Sequence, residues 1–121
     1  MSRHAIHLGT AWEPPTAAAM RWLRCFGRPT GIEPGDRVVL VCQGAAMPAA
    51  WQDATLNDGP LAWHAAVDGG LECDVTDLLA ERNLLVVPVS DPQDGVADRG
   101  RGALATLPAA WGRLSMVVVS D

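Results

Sequence analysis

The sequence predicts an all-β sandwich of about eight strands with one short helical turn near residues 76–81, and three observations carry that reading. The apolar runs are short and rich in Val and Leu. They are punctuated about every ten residues by Gly, Pro, Asn and Asp, the spacing of many short strands joined by turns. Stretches with a sustained helical period are few, and no internal repeat is visible. A chain of 121 residues can bury well over half of its unfolded surface, so residues 1–121 are expected to form one domain around one core. Hydrophobic residues at 49% against charged residues at 19% argue against disorder.

In chain order, the first strand is predicted over 3–8, where His4 and His7 project to opposite faces and so do not converge on a metal ion. Residues 16–27 have two readings. Local propensity favours a helix capped by Thr16 and ended by Gly27, while strand placement puts 21–27 in a sheet. Pro34-Gly35-Asp36 is a turn sequence before a strand over 36–43. Strands over 51–57 and 60–64 flank Asn57-Asp58-Gly59, residues that tolerate positive φ, so 51–64 reads as a hairpin. A strand over 71–75 leads into Thr76, a helix-capping residue with Asp77 in the first turn of the short helix. The run over 83–89 is unbroken in apolar character and is expected to be buried on both faces. Residues 91–110 lack a period and are rich in Gly, Asp, Arg and Ala, so this connection is either mobile or functional. The last strand is predicted over 114–120.

Charge and cysteine usage exclude several classes. The net charge is −5, and the nine Arg, with no Lys, are scattered rather than striped, which disfavours a nucleic-acid partner. No segment approaches the roughly 20 apolar residues of a bilayer span, and the N-terminus has no secretion-signal pattern, so a cytoplasmic location is expected. Cys25, Cys42 and Cys73 form an odd set with no close pair, read as reduced and structural.

Three segments resemble the jelly-roll sugar-binding domain that precedes the catalytic barrel in glycoside hydrolase family 2 enzymes, the β-galactosidase and β-glucuronidase group. Residues 74–89, DVTDLLAERNLLVVPV, are similar to that family's "D-V-T-x-L-L … N-x-L-x-V-x-V" signature. Residues 22–29, WLRCFGRP, resemble its early aromatic-x-Arg-x-Phe-x-x-Pro strand, and residues 35–41 resemble the strand that follows. Residues 56–64 resemble its "L-N-G … L-G-x-H" hairpin with Asp58 inserted, and Trp111-Gly-Arg113 resembles the start of its closing strand with one residue displaced. The resemblance spans about residues 20–120. It implies a galactose-binding-like jelly roll, a strand rather than a helix over 21–27, and a stand-alone domain without the family's catalytic barrel. No cofactor is implied.

Within the central motif, Asp74 and Thr76 are positioned to hydrogen-bond backbone amides, Leu78 and Leu79 to close the core, and Asn83 to take a turn conformation before the next strand. Acid pairs such as Asp74 with Asp77 carry no special signal, since fourteen acids on a small surface must often lie close. Asp91, Asp94 and Asp98 could offer oxygens to calcium, but they lack the alternation of an EF-hand loop and read first as a solvated turn. No nucleophile elbow or phosphate-binding glycine loop is present.

The aromatic inventory is skewed, with five Trp against one Phe and no Tyr. Indole faces stack on the flat C–H faces of sugars, so Trp51, Trp63, His64 and Trp111, near predicted strand ends, form the candidate saccharide site. The competing use of Trp is core filling, and at least three of the five, Trp22 among them, are expected to be buried. The sequence thus predicts a non-catalytic carbohydrate-binding module, with a protein-interaction or homo-oligomerisation module as the alternative.

Overall fold

The structure, a computed structural model, describes residues 2–43, 49–66, 69–89, 104–108 and 111–120. Nine strands among them make two antiparallel sheets. The first is five-stranded in the order β1 (Ser2–His7), β9 (Arg113–Ser120), β3 (Arg37–Gln43), β7 (Leu71–Asp74), β6 (His64–Ala65). The second is four-stranded in the order β2 (Arg21–Gly27), β8 (Arg82–Pro88), β4 (Thr55–Leu56), β5 (Gly59–Pro60). This is the expected β-sandwich. The core lies between the sheets, where alternate residues of β3, β9 and β8 meet: Val38, Leu40 and Cys42, then Leu114 and Met116, then Leu85 and Val87.

β2 pairs with β8 along its whole length, from Arg21↔Pro88 to Gly27↔Arg82, and its Trp22 is fully buried. Tertiary pairing here overrides the helix propensity of the alanine-rich approach. His4 and His7 do lie on opposite faces of β1, opposite Val118 and Ser115 respectively. The Asn57-Asp58 turn closes β4 onto β5 with φ of 53° and 69°, the two positive values a two-residue turn of this hand requires.

Several expectations are corrected. Residues 51–57 are not one strand: Trp51 sits in a 3-10 turn over Ala49–Asp53, and only Thr55–Leu56 pairs. Residues 60–64 are not one strand either, because the chain leaves the four-stranded sheet after Pro60 and joins the other at His64, with Leu61 buried at the crossing. The hairpin is therefore confined to 55–60. Residues 76–81 do not form a helix. Leu78 N donates to Val75 O in a single turn, and Thr76, the expected cap, instead gives its hydroxyl to Asp74, a local competitor of helix formation.

The run over 83–89 is not buried on both faces. Asn83, Leu85 and Val87 point into the core, whereas Leu84 is 49% exposed and Val86 and Pro88 are half-buried. An antiparallel sheet can leave one face to solvent, and this one does. Asn83 is also not a left-handed turn residue: among the described non-glycine residues positive φ occurs at Ala11, Asn57 and Asp58. Of the 91–110 connection, residues 91–103 and 109–110 lie outside the described residues, as do Asp91, Asp94 and Asp98. In the described part, Ala105 and Trp12 exchange backbone hydrogen bonds of 2.7 and 2.9 Å.

Candidate functional site

The central motif folds into a polar clasp. Asp74 ends β7 opposite Val39, and one of its carboxylate oxygens accepts from the Thr76 amide at 2.9 Å and the Thr76 hydroxyl at 2.7 Å. Its other oxygen accepts from Arg37 Nε at 2.9 Å and from Arg37 Nη2. The Thr76 hydroxyl oxygen in turn accepts from Val38 N at 2.9 Å, which ties the turn to β3. Partial burial pushes the Asp74 carboxyl up, but the Thr76 bonds and the Arg37 pairing together hold it below the ordinary carboxylate value. Asp74 is thus an ionised structural anchor, with Asp77 beside it in a shallow cleft of about 360 Å³.

A group whose folded pKa is lowered stabilises the fold above its unfolded pKa and loses that contribution as pH falls through the folded value. Asp74→Asn is therefore expected to lower stability by about 1 kcal/mol at pH 7, a figure kept small by the partial exposure of the pair. The difference from wild type should shrink once the pH falls below about 4. Urea titrations at pH 7 and pH 3 measure it, and equal differences at both would refute an ionised anchor.

The three cysteines are free. Burial pushes the Cys42 thiol up, and its Sγ donates to Trp111 O at 3.2 Å. Burial likewise raises Cys73. Both are structural; Cys25, by contrast, is exposed.

All five tryptophans converge. Trp51 stands edge-to-face with three others: Trp12 at 6.5 Å between ring centroids, Trp63 at 5.7 Å and Trp111 at 5.9 Å. Trp111 extends the chain of rings to Trp22 at 6.0 Å. Trp12, Trp22 and Trp51 are 0% exposed, which gives the three buried indoles expected but moves Trp51 from rim to centre. The 3-10 turn rotates its ring inward. Trp51 cannot touch a ligand in this arrangement.

Trp63 and Trp111 are half-buried and pack against the core. Trp63 is locked by its indole N–H, which donates to Trp51 O at 3.0 Å. Gly112 holds Trp111 close to the end of β3 at a φ of 85°, where an added Cβ would come within 2.5 Å of Gln43 O. His64 is exposed on β6, its Nε2 3.4 Å from Glu72 Oε1. Of the four residues named from sequence, the structure thus brings three indoles together, one beneath two, and places His64 on an edge strand.

Sequence reasoning missed Trp12. It lies in the loop after β1, its N–H donating to Leu8 O at 2.6 Å, and its partner Ala105 is distant in sequence. No local signal marks that pairing. The indole N–H groups of Trp22 and Trp51 are buried without an acceptor among the described residues. Those residues also contain no group of three or more His, Cys, Asp or Glu placed to hold a metal ion, and no helix long and apolar enough to cross a membrane.

No protein-family model matches the chain, and no curated protein matches it. Among solved structures the chain is similar to the crystal structure of FMN-binding beta-glucuronidase from Facaelibacterium prausnitzii L2-6, with a TM-score of 0.53 and 17% sequence identity. The likeness covers 98% of this chain and 23% of that one. At that identity it is a likeness of fold.

Proposed function

We propose that the chain is a non-catalytic carbohydrate-binding module whose contact surface is Trp63 and Trp111, with Trp51 as the buried ring beneath them. The observation that carries the reading is the pair of half-buried indoles held edge-on to a single fully buried one. Rings fixed in this way lose little freedom when a sugar packs on them, which lowers the entropy cost of binding. His64 and Glu72, next along β6 and β7, supply polar atoms for hydroxyls.

Two further facts support the reading. The fold likeness is to a segment making up 23% of a β-glucuronidase chain. Asp74, the acid of the most specific motif, is engaged by Arg37 and Thr76, which suits an architectural role better than acid–base chemistry. With a cytoplasmic location, the ligands in reach are soluble saccharides and sugar nucleotides.

The test is calorimetric titration of a mono- and oligosaccharide panel, alongside Trp fluorescence. A dissociation constant of about 1 mM is expected for the best ligand, weakened about tenfold by Trp63→Ala or Trp111→Ala. No response to the panel at tens of millimolar, or a response indifferent to both variants, would overturn the proposal.

A further inference from the structure

The face of the four-stranded sheet that points away from the core is apolar and uncovered. Its composition follows from the register, because residues paired across antiparallel strands share a face: Leu23 with Val86, Cys25 with Leu84, Arg21 with Pro88. Leu84 and Cys25 are exposed, and Leu23 and Val86 are half-buried. An exposed large apolar patch on a sheet face marks an interaction surface.

The two halves of this face differ in shape and charge. The half around Cys25 and Leu84 opens into a groove of about 620 Å³ whose far end carries Glu81 and Arg82. The half around Leu23 and Val86 is an apolar ridge, and its far end carries Arg21 paired to Glu13 at 3.2 Å. A two-fold axis lying against the face and perpendicular to the strands exchanges these halves. It sets the ridge of one copy over the groove of the other, and the Glu13–Arg21 end of each over the Glu81–Arg82 end of its mate. Each arginine then meets the other copy's carboxylate.

We propose that this face binds a second copy of this chain, forming an isologous, reversible dimer. Self-complementarity under a single two-fold operation, in shape and in charge, selects a like partner over an unrelated one. A four-stranded, seven-residue face covers about 450 Å² per copy at ordinary strand spacing, about 900 Å² in total, which is the size of a transient interface. The dimer is therefore concentration-dependent, with a dissociation constant in the micromolar range or weaker. Trp63 and Trp111 are not on this face, so the dimer stands or falls independently of saccharide binding.

Sedimentation equilibrium of the full chain from about 10 μM to about 1 mM tests it, a range set by the affinity of transient interfaces. The expected result is a monomer–dimer equilibrium weakened at least about tenfold by Leu84→Asp, which removes the apolar contact at an exposed position. Arg3→Glu, on the other sheet, should leave the equilibrium unchanged. A bismaleimide with a spacer of about 10 Å, the stacking distance of sheets, should join two copies through Cys25, and Leu84→Asp should abolish that product. A wild-type chain that stays monomeric to 1 mM overturns the proposal, as does a dimer that Leu84→Asp does not weaken.

Discussion

Trp51→Ala is expected to remove about 4 kcal/mol of folding stability, the largest loss of any single substitution considered for this chain. The ring is fully buried and stands edge-to-face with Trp12, Trp63 and Trp111, so its removal opens a large cavity and ends three aromatic contacts at once. Domains of this size are stable by only about 5–15 kcal/mol, so the variant should unfold at a much lower urea concentration. One feature opposes the loss: the Trp51 N–H is buried without an acceptor among the described residues, and deleting it relieves a desolvation cost.

Trp51→Phe separates the two effects, because it keeps an aromatic ring and removes only the unpaired donor and part of the volume. It is expected to cost about 1 kcal/mol or less. Trp12→Phe should cost more than Trp51→Phe, since the Trp12 N–H makes a 2.6 Å bond to Leu8 O that the phenyl ring cannot replace. Urea midpoints at constant slope decide the order, and a reversed order would mean that the orphaned donor of Trp51 costs nothing. Trp63 and Trp111 both rest on Trp51, so Trp51→Ala should also weaken any saccharide binding without the residue touching the ligand.

Local chemistry was legible where it acts over a few residues. Asn57-Asp58 announces its turn because few residues accept two successive positive φ values, and Asp74-Val-Thr76 announces its clasp because both side chains reach amides nearby. What was not legible depends on distant partners. Leu84 and Val86 have the same apolar character as Leu85 and Val87, so residues 83–89 alone cannot reveal that one parity faces solvent. Trp51 precedes a strand-like run, and only the crossing of the chain between sheets at 61–63 explains why its ring turns inward. The sequence could supply the number of buried indoles, but choosing which ones required the sandwich.

Asn83→Ala is expected to cost about 3 kcal/mol, because Asn83 is the hub of a buried polar network rather than a turn residue. It is the one fully buried polar side chain among the described residues. Its Oδ1 accepts from Ala80 N at 2.8 Å and from Asn57 Nδ2 at 2.9 Å, while its Nδ2 donates to Ala80 O at 3.0 Å and Phe26 O at 3.3 Å. Asn57 completes the network, donating to Leu78 O at 2.8 Å and accepting from Leu84 N at 2.9 Å. Alanine at 83 strands several of these partners without water to replace it. Asn57→Gly tolerates the positive φ and loses only side-chain bonds, so it should cost less, and the double variant should cost less than the sum of the singles because the two amides share a bond. Asn83→Asp provides the sharper check. A carboxylate there faces the carbonyls of Ala80 and Phe26 in place of a donor, which raises its folded pKa above that of the unfolded chain. Its penalty relative to wild type should therefore grow as pH rises above about 4, and urea midpoints measured from pH 3 to pH 7 would show it. Because Asn57 fixes Leu84 through both its side chain and its backbone, the same network sets the register that presents Leu84 on the open face. Asn83→Ala should then weaken self-association at urea concentrations well below its unfolding midpoint, which ties the buried amide pair to the surface it holds in place.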